Sequence, residues 1–482
     1  MKFSTYTALL FLFFYTALPA QQLVTVTLLG ARTKAQLTTQ FSLPIIQYGA
    51  KFYRITYTTP DLQGQTDTVS GLVAVPDDPT RVYPRLVYQH GTAGSKLGVP
   101  SFNAAQGGEG SIGLLFAGLG YVSLLPDYLG LGVSDGFHPY VHAASEASVA
   151  ADMLRALVPF NTQYGVHTSD QLFITGYSQG GHAAMALHRE IQTNLSAEFT
   201  VTAAAHLSGP YSIGEVMRNL ILSDSIYYYP AYLPNTILSF QTVYGNLFTQ
   251  ITDVFKEPYA TTIGQFYTGA ISLDQLNSQL IVLLTTNEGD SRPLRMLQPA
   301  VVQDVTTNPD HPFNVALRDN NVYAWAPAAP TRIFYCMADD QVPYINSILA
   351  RDSMVARGAA NLVATDVNST ADHGGCVVPA LTSTVFFFAG FQQVGIFTAT
   401  GEQAIQPLVL QPNPASTFVA LHNLPDEGGR VRITDLSGRI RTSLAVSGSD
   451  LSLDVSGLEN GMYLVQYQSD GKTRQGMLVV QH

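Results

Sequence analysis

The segment Gln171–Gly181, which reads Gln-Leu-Phe-Ile-Thr-Gly-Tyr-Ser-Gln-Gly-Gly, leaves the surrounding chain few ways to fold. An apolar run leads into a serine set between glycines, and the residues after it, Gly181-His-Ala-Ala-Met-Ala-Leu-His188, have helical spacing. A strand that turns sharply into a helix needs glycine where its two arms pass close to each other. Further strand-like runs lie at Val69–Val75, Arg85–Tyr88, Tyr121–Leu125, Val201–Leu207, Arg332–Tyr335 and Leu362–Val367. Helical patterns at Ala143–Leu157 and Gly181–Ile191 fall between them. Strands alternating with helices predict a largely parallel, buried sheet, in an α/β unit spanning residues 21–393.

Two regions break this rhythm. The stretch 211–328 carries helix-like segments, prolines and the aromatics Tyr227, Tyr228, Tyr229, Tyr232, Phe240, Tyr244 and Phe248. An insertion of that size between two strands predicts a separate, mainly helical cap, with most of these rings in its own core. After a polar linker at 394–407, short alternating strands at Arg430–Asp435, Leu451–Val455 and Met462–Tyr467 are separated by Gly, Asn, Asp and Ser turns. They predict a small all-β domain over residues 408–482.

At the N-terminus, Lys2, the apolar run Ala8–Tyr15 and Leu-Pro-Ala ending at Ala20 read as a signal peptide over residues 1–20. The alternative is a membrane anchor, for which the unbroken apolar core is short. The formal net charge of −11 argues against a nucleic-acid partner, whose phosphates need clustered Lys and Arg.

The pattern Gly-x-Ser-x-Gly occurs at Gly132–Gly136 as well as at Gly176–Gly180. Ser134 follows the glycine-rich stretch Pro126-Asp-Tyr-Leu-Gly-Leu-Gly132 with no strand leading into it, so it and Asp127 read as loop-shaping residues. Ser178 has both the strand and the helix, whose N-terminal dipole favours developing negative charge, and is the candidate nucleophile.

Taken together, His90-Gly91-Thr92, Pro126–Gly132, Gly176–Gly181, Asp339-Asp-Gln-Val-Pro343 and Asp372-His-Gly-Gly-Cys376 resemble the α/β-hydrolase superfamily, and within it the secretory lipases and esterases, over most of residues 50–390. The resemblance implies an α/β-hydrolase sheet and a triad in the order Ser, Asp, His. Beyond the acid candidates the histidines are His373, His422 and His482, and the last two lie in the tail, which leaves His373 as the base. Asp339 fits the family's Asp-x-x-Val-Pro register, with Asp340 as the alternative acid. The oxyanion hole implied by the family is the backbone N–H of Gln179 and that of Thr92, with His90 structural.

Cys336 stands three residues before Asp339 and Cys376 three after His373. If acid and base touch, the two sulfurs are neighbours, and export to an oxidising compartment predicts a disulfide over two buried thiols. The expected chemistry is hydrolysis of carboxylic esters through an acyl-enzyme, on a small-molecule or lipid ester, without metal or organic cofactor. The His and Cys residues show no zinc spacing. A serine peptidase on the same fold and a non-catalytic secreted binding protein are the alternatives.

In the tail, Gln411-Pro-Asn-Pro-Ala415, Asp435-Leu-Ser-Gly-Arg439 and Gly457-Leu-Glu-Asn-Gly-Met-Tyr-Leu464 resemble the C-terminal sorting domain of the type IX secretion system, known from Bacteroidetes. That implies the secretion machinery as a partner, and a cell-surface or secreted location. The competing reading, a carbohydrate-binding sandwich, lacks a row of tryptophans, since the chain's one Trp is Trp325, in the insertion.

Overall fold

The computed structural model describes residues 22–397 and, from 406 to 482, all but 423, 425–427, 436–438, 447, 449–450 and 470–471. The expected signal peptide and most of the expected linker lie outside the described residues, as do the middle residues of Asp435–Arg439. The chain forms two compact units, dividing between Phe397 and Thr398.

The larger unit is built on β1 (Leu23–Arg32), β2 (Ala50–Pro60), β3 (Thr66–Pro76), β4 (Arg81–Gln89), β5 (Val122–Pro126), β6 (Thr168–Tyr177), β7 (Ala203–Leu207), β8 (Thr331–Tyr335) and β9 (Leu362–Asp366). Their order across the sheet is β1-β2-β3-β5-β4-β6-β7-β8-β9. The first three strands pair antiparallel, with β3 antiparallel to β5, and from β5 to β9 every pairing is parallel. Strands β3 to β9 coincide with the seven runs picked out in the sequence; β1 and β2 extend the sheet beyond them. Gly395–Ile396, placed by the sequence in the linker, pairs with Val82 and Arg81 of β4.

Strand residues alternate between two cores, as period-two geometry requires. Leu172 and Ile174 of β6 face a cluster with Val149, Met153, Leu157, Met185 and Leu187, from the helices Ala143–Tyr164 and Gln179–Asn194. Phe173 faces the other cluster, with Phe116, Cys336, Cys376 and Phe388, from the opposite side of the sheet.

Between β7 and β8 the helices from Arg218–Leu222 to Pro312–Asp319 form the cap. They surround their own core of Leu238, Phe240, Phe255, Ile263, Leu280 and Met296. The cap is helical, as expected, but the last residues of the predicted insertion are not part of it. Val322, Tyr323 and Trp325 join the core under the main sheet, with Trp325 edge-on to His188 at 4.9 Å. Tyr228 points outward, 62% exposed.

The smaller unit has two sheets. One contains Lys472–Val480, Gly461–Ser469, Gly429–Asp435 and Ile440–Val446, the other Leu410–Gln411, Phe418–Leu421 and Leu451–Asp454. Val419, Leu421 and Leu453 of one sheet and Val431, Ile433, Val465 and Leu478 of the other share a single core.

Candidate active site

The parallel strands bring their C-terminal ends to one edge of the sheet, and the sequence-predicted site residues lie on the segments that follow them. Ser178 follows β6 directly, at φ +60° and ψ −122°, before the helix Gln179–Asn194 begins. This is a sparsely populated conformation for a residue with a side chain, and the surroundings hold it. Its N–H donates to the Leu207 carbonyl at 3.0 Å, at the end of β7. The flanking glycines are sterically required. A Cβ on Gly176 would lie 2.2 Å from the Gly180 carbonyl oxygen, and one on Gly180 would lie 2.0 Å from that of Gln89.

His373 opens the helix His373–Ala389, which Asp372 caps by accepting from the Gly375 N–H at 2.7 Å. Its ring lies between two partners, with Nε2 2.8 Å from Ser178 Oγ and Nδ1 2.7 Å from Asp339 Oδ2. The other oxygen of Asp339 accepts from the N–H groups of Gln341 and Val342 at 3.0 and 2.8 Å. Asp340 does not reach the ring; its carboxylate accepts from the His373 backbone N–H at 3.1 Å. The Tyr177 hydroxyl donates to the His373 carbonyl at 2.5 Å. The side chains of Asp339 and His373 are buried, whereas Ser178 keeps partial access to solvent.

Cys336 and Cys376 form a disulfide with their Cα atoms 5.9 Å apart, joining the loop of Asp339 to the helix of His373. Gln179 is the first residue of its helix, where backbone N–H groups have no acceptor within the helix. Thr92 follows Gly91, whose N–H is taken by Glu109 Oε2 at 2.7 Å. Burial pushes the Glu109 carboxyl up to about 7. His90 is stacked on Tyr128 at 4.2 Å, with Nδ1 2.7 Å from the Gly91 carbonyl oxygen and Nε2 3.3 Å from that of Asp127, and burial holds its pKa down to about 4. Ser134 is far from this chemistry in its bonding: its hydroxyl donates to Asp67 at 2.6 Å and accepts from the Gly130 N–H at 2.8 Å. Asp127 is likewise taken up by Ser70 and Ser101.

The contributions of Tyr177 and Glu109 carry no motif of their own, and spacing could not have revealed them; Asp340, the alternative acid, instead holds the backbone of His373. Among the described residues no group of three or more His, Cys, Asp or Glu side chains is arranged to hold a metal ion.

The cap contributes two walls. Tyr227 and Tyr232 reach the acid loop, their hydroxyls 3.0 Å from the Gln341 carbonyl and its Oε1 respectively. The same rings line an apolar cavity with Ile213, Leu233, Phe240 and Val302. A wider groove, more polar in its lining, runs past Thr92, Lys96, His138, Tyr140, Tyr267 and Gln275.

Solved structures share this architecture. The rice cell wall degrading esterase LipA from Xanthomonas oryzae is 27% identical, with a TM-score of 0.66, over 77% of this chain and 96% of that one. A hydrolase from Legionella pneumophila is also 27% identical, with a TM-score of 0.67, over 77% and 98%. The larger unit has the α/β-hydrolase fold. Lipase A from Candida antarctica, 14% identical with a TM-score of 0.57 over 77% and 83%, agrees with this hydrolase unit in fold. A comparison with curated protein sequences finds no match. Residues 410–481 match the family model of the secretion system C-terminal sorting domain, so the hydrolase unit is followed by a module for export.

Proposed function

We propose that the protein is an exported serine esterase that cleaves carboxylic esters through an acyl-enzyme on Ser178. The observation that carries this reading is the unbroken line Ser178 Oγ, His373 Nε2, His373 Nδ1, Asp339 Oδ2, with hydrogen-bond distances of 2.8 and 2.7 Å. In the reaction Ser178 Oγ attacks the ester carbonyl carbon and His373 Nε2 accepts its proton. Asp339 keeps the ring in the tautomer that leaves Nε2 free to act, and stabilises the imidazolium. The backbone N–H groups of Gln179 and Thr92 receive the oxyanion. His373 then returns the proton to the departing alcohol, and a water attacks the acyl group by the same route. The scheme uses no cofactor.

The esterase among the similar structures supports an ester as the substrate class. The cap cavity supports an uncharged acyl chain, because its lining is almost wholly apolar and Tyr232 forms part of its wall next to the acid loop. Each methylene buried there contributes about 0.8 kcal/mol, so a few set a preference. Specificity constants on nitrophenyl esters are expected to rise from acetate to medium-length acyl groups and to exceed those on peptide anilides. An optimum at acetate, or faster amide cleavage, would remove the assignment of the cavity. Ser178→Ala is expected to lower kcat by on the order of 10⁴ or more while the protein remains folded. Retained turnover in that variant would remove the mechanism.

A further inference from the structure

Beneath the Ser178 turn runs a chain of polar side chains that the scheme above does not use. Gln179 and Glu146 are 1% exposed and His182 is fully buried. The Gln179 amide nitrogen stands 2.9 Å from His138 Nε2 and 2.8 Å from Glu146 Oε1. Glu146 Oε2 is 2.8 Å from His182 Nδ1, and His182 Nε2 is 2.9 Å from the Asn320 carbonyl.

Donors and acceptors along this chain fit one arrangement, in which the Gln179 side-chain oxygen is left buried without a partner. His138 Nδ1 donates to the Leu129 carbonyl at 2.8 Å, and burial keeps the ring neutral, with its pKa down to about 3. Its Nε2 therefore accepts one amide hydrogen of Gln179, and Glu146 accepts the other. At the far end a carbonyl fixes the proton on His182 Nε2. Both ends are tied to the cap region. The Asn320 amide bonds the Tyr244 hydroxyl at 2.9 Å, and the His138 carbonyl accepts from Ser239 at 2.8 Å.

Glu146 thus holds the side chain of the residue that carries one oxyanion donor, and also the ring one turn further along the same helix. An apolar residue would fill its place at lower electrostatic cost. It would also leave the Gln179 amide with one acceptor and His182 Nδ1 with none. We propose that Glu146 is a positioning residue for oxyanion stabilisation, fixing the first turn of the helix Gln179–Asn194 so that the Gln179 main-chain N–H stays aimed at the substrate oxygen. The proposal rests on the reading of Ser178 as nucleophile.

The test uses the full oxidised chain, with active sites counted by the burst from a chromogenic phosphonate and turnover measured on a nitrophenyl ester. Glu146→Leu is expected to lower kcat per titrated site by about 10²-fold, the scale of losing one oxyanion donor, with KM within about threefold. Glu146→Gln keeps an acceptor for Gln179 and supplies a donor for His182 Nδ1, and is expected to stay within about threefold of the parent in kcat. A merely structural role would change the fraction of titratable sites, not the rate per site. Parental kcat per site in Glu146→Leu, or a loss in Glu146→Gln as large as in Glu146→Leu, overturns the proposal. Should Glu146→Leu not fold, Gln179→Ala keeps the main-chain donor and severs the grip. It must show the same kcat-specific loss, and parental kcat there also overturns the idea. Turnover by Ser178→Ala would instead refute the nucleophile, and an inactive Ser178→Ala beside an unimpaired Glu146→Leu would refute positioning alone.

Discussion

Asp339 and Asp340 are neighbours in the chain and hold different atoms of the same histidine. Asp339 bonds the ring nitrogen and Asp340 the backbone N–H. Asp339→Asn presents an amide that no longer stabilises the imidazolium, and its kcat is expected to fall by about 10³- to 10⁴-fold. Asn at 340 still offers an oxygen to the His373 N–H, so Asp340→Asn is expected to stay within about tenfold. Parallel kcat measurements on the two variants check the order. Ser134 provides the contrast with Ser178: Ser134→Ala gives up its bonds to Gly130 and Asp67 and is expected to cost about 1–2 kcal/mol of stability in denaturant melts, with turnover kept.

At the scale of elements, the clasp between the β8 loop and the helix His373–Ala389 joins the proposed acid to the proposed base. Its loop spans a sequence separation of 40, for which chain entropy gives about 4 kcal/mol. The double variant Cys336→Ala/Cys376→Ala is therefore expected to lose about 2–5 kcal/mol in a urea titration and to lose activity at temperatures where the parent is still stable. The parallel half of the sheet was legible because its strands are buried on both faces and read as apolar runs between turn residues. The edge strand β1 is not such a run: Val24, Thr25, Thr27 and Leu28 are exposed, which blurs its pattern. Ser178 and His373 were legible as candidates from motif and order, since the turn at Ser178 demands its glycines. The chain through Glu146 could not, because its members come from a loop, two helices and the end of the cap, and only the fold brings them together.

At the scale of the whole molecule, the proposed catalytic groups all belong to the first unit and the sorting domain to the second. Phe397 stacks on His167 at 3.4 Å and its N–H bonds the Thr80 carbonyl, so a cut just after it spares the hydrolase unit. A chain ending at Phe397 is expected to keep kcat and KM, and in the cell to be retained instead of delivered, as fractionation with an activity assay would detect. Acid is expected to act on the folded unit as a whole. Burial holds His90 and His142 down to about 4, His138 and His188 to about 3, and His206 well below its usual range. The unfolded chain protonates these rings near pH 6.5, so it binds more protons than the folded one and stability falls as pH drops below that value. Glu109, raised to about 7, and Asp127 and Asp152, raised by burial, act in the opposite sense, gaining their protons in the folded state first, but they are three groups against five. The melting temperature is expected to drop by several degrees between pH 6.5 and 5, and a rise in calorimetry would contradict this account.

The clasp also sets a condition of time and place. Cytoplasmic reductants keep thiols apart, so a newly made chain carries its acid and base on two untethered arms. On the proposed reading, oxidation during export fastens them, so the joint between acid and base records the compartment the chain has reached.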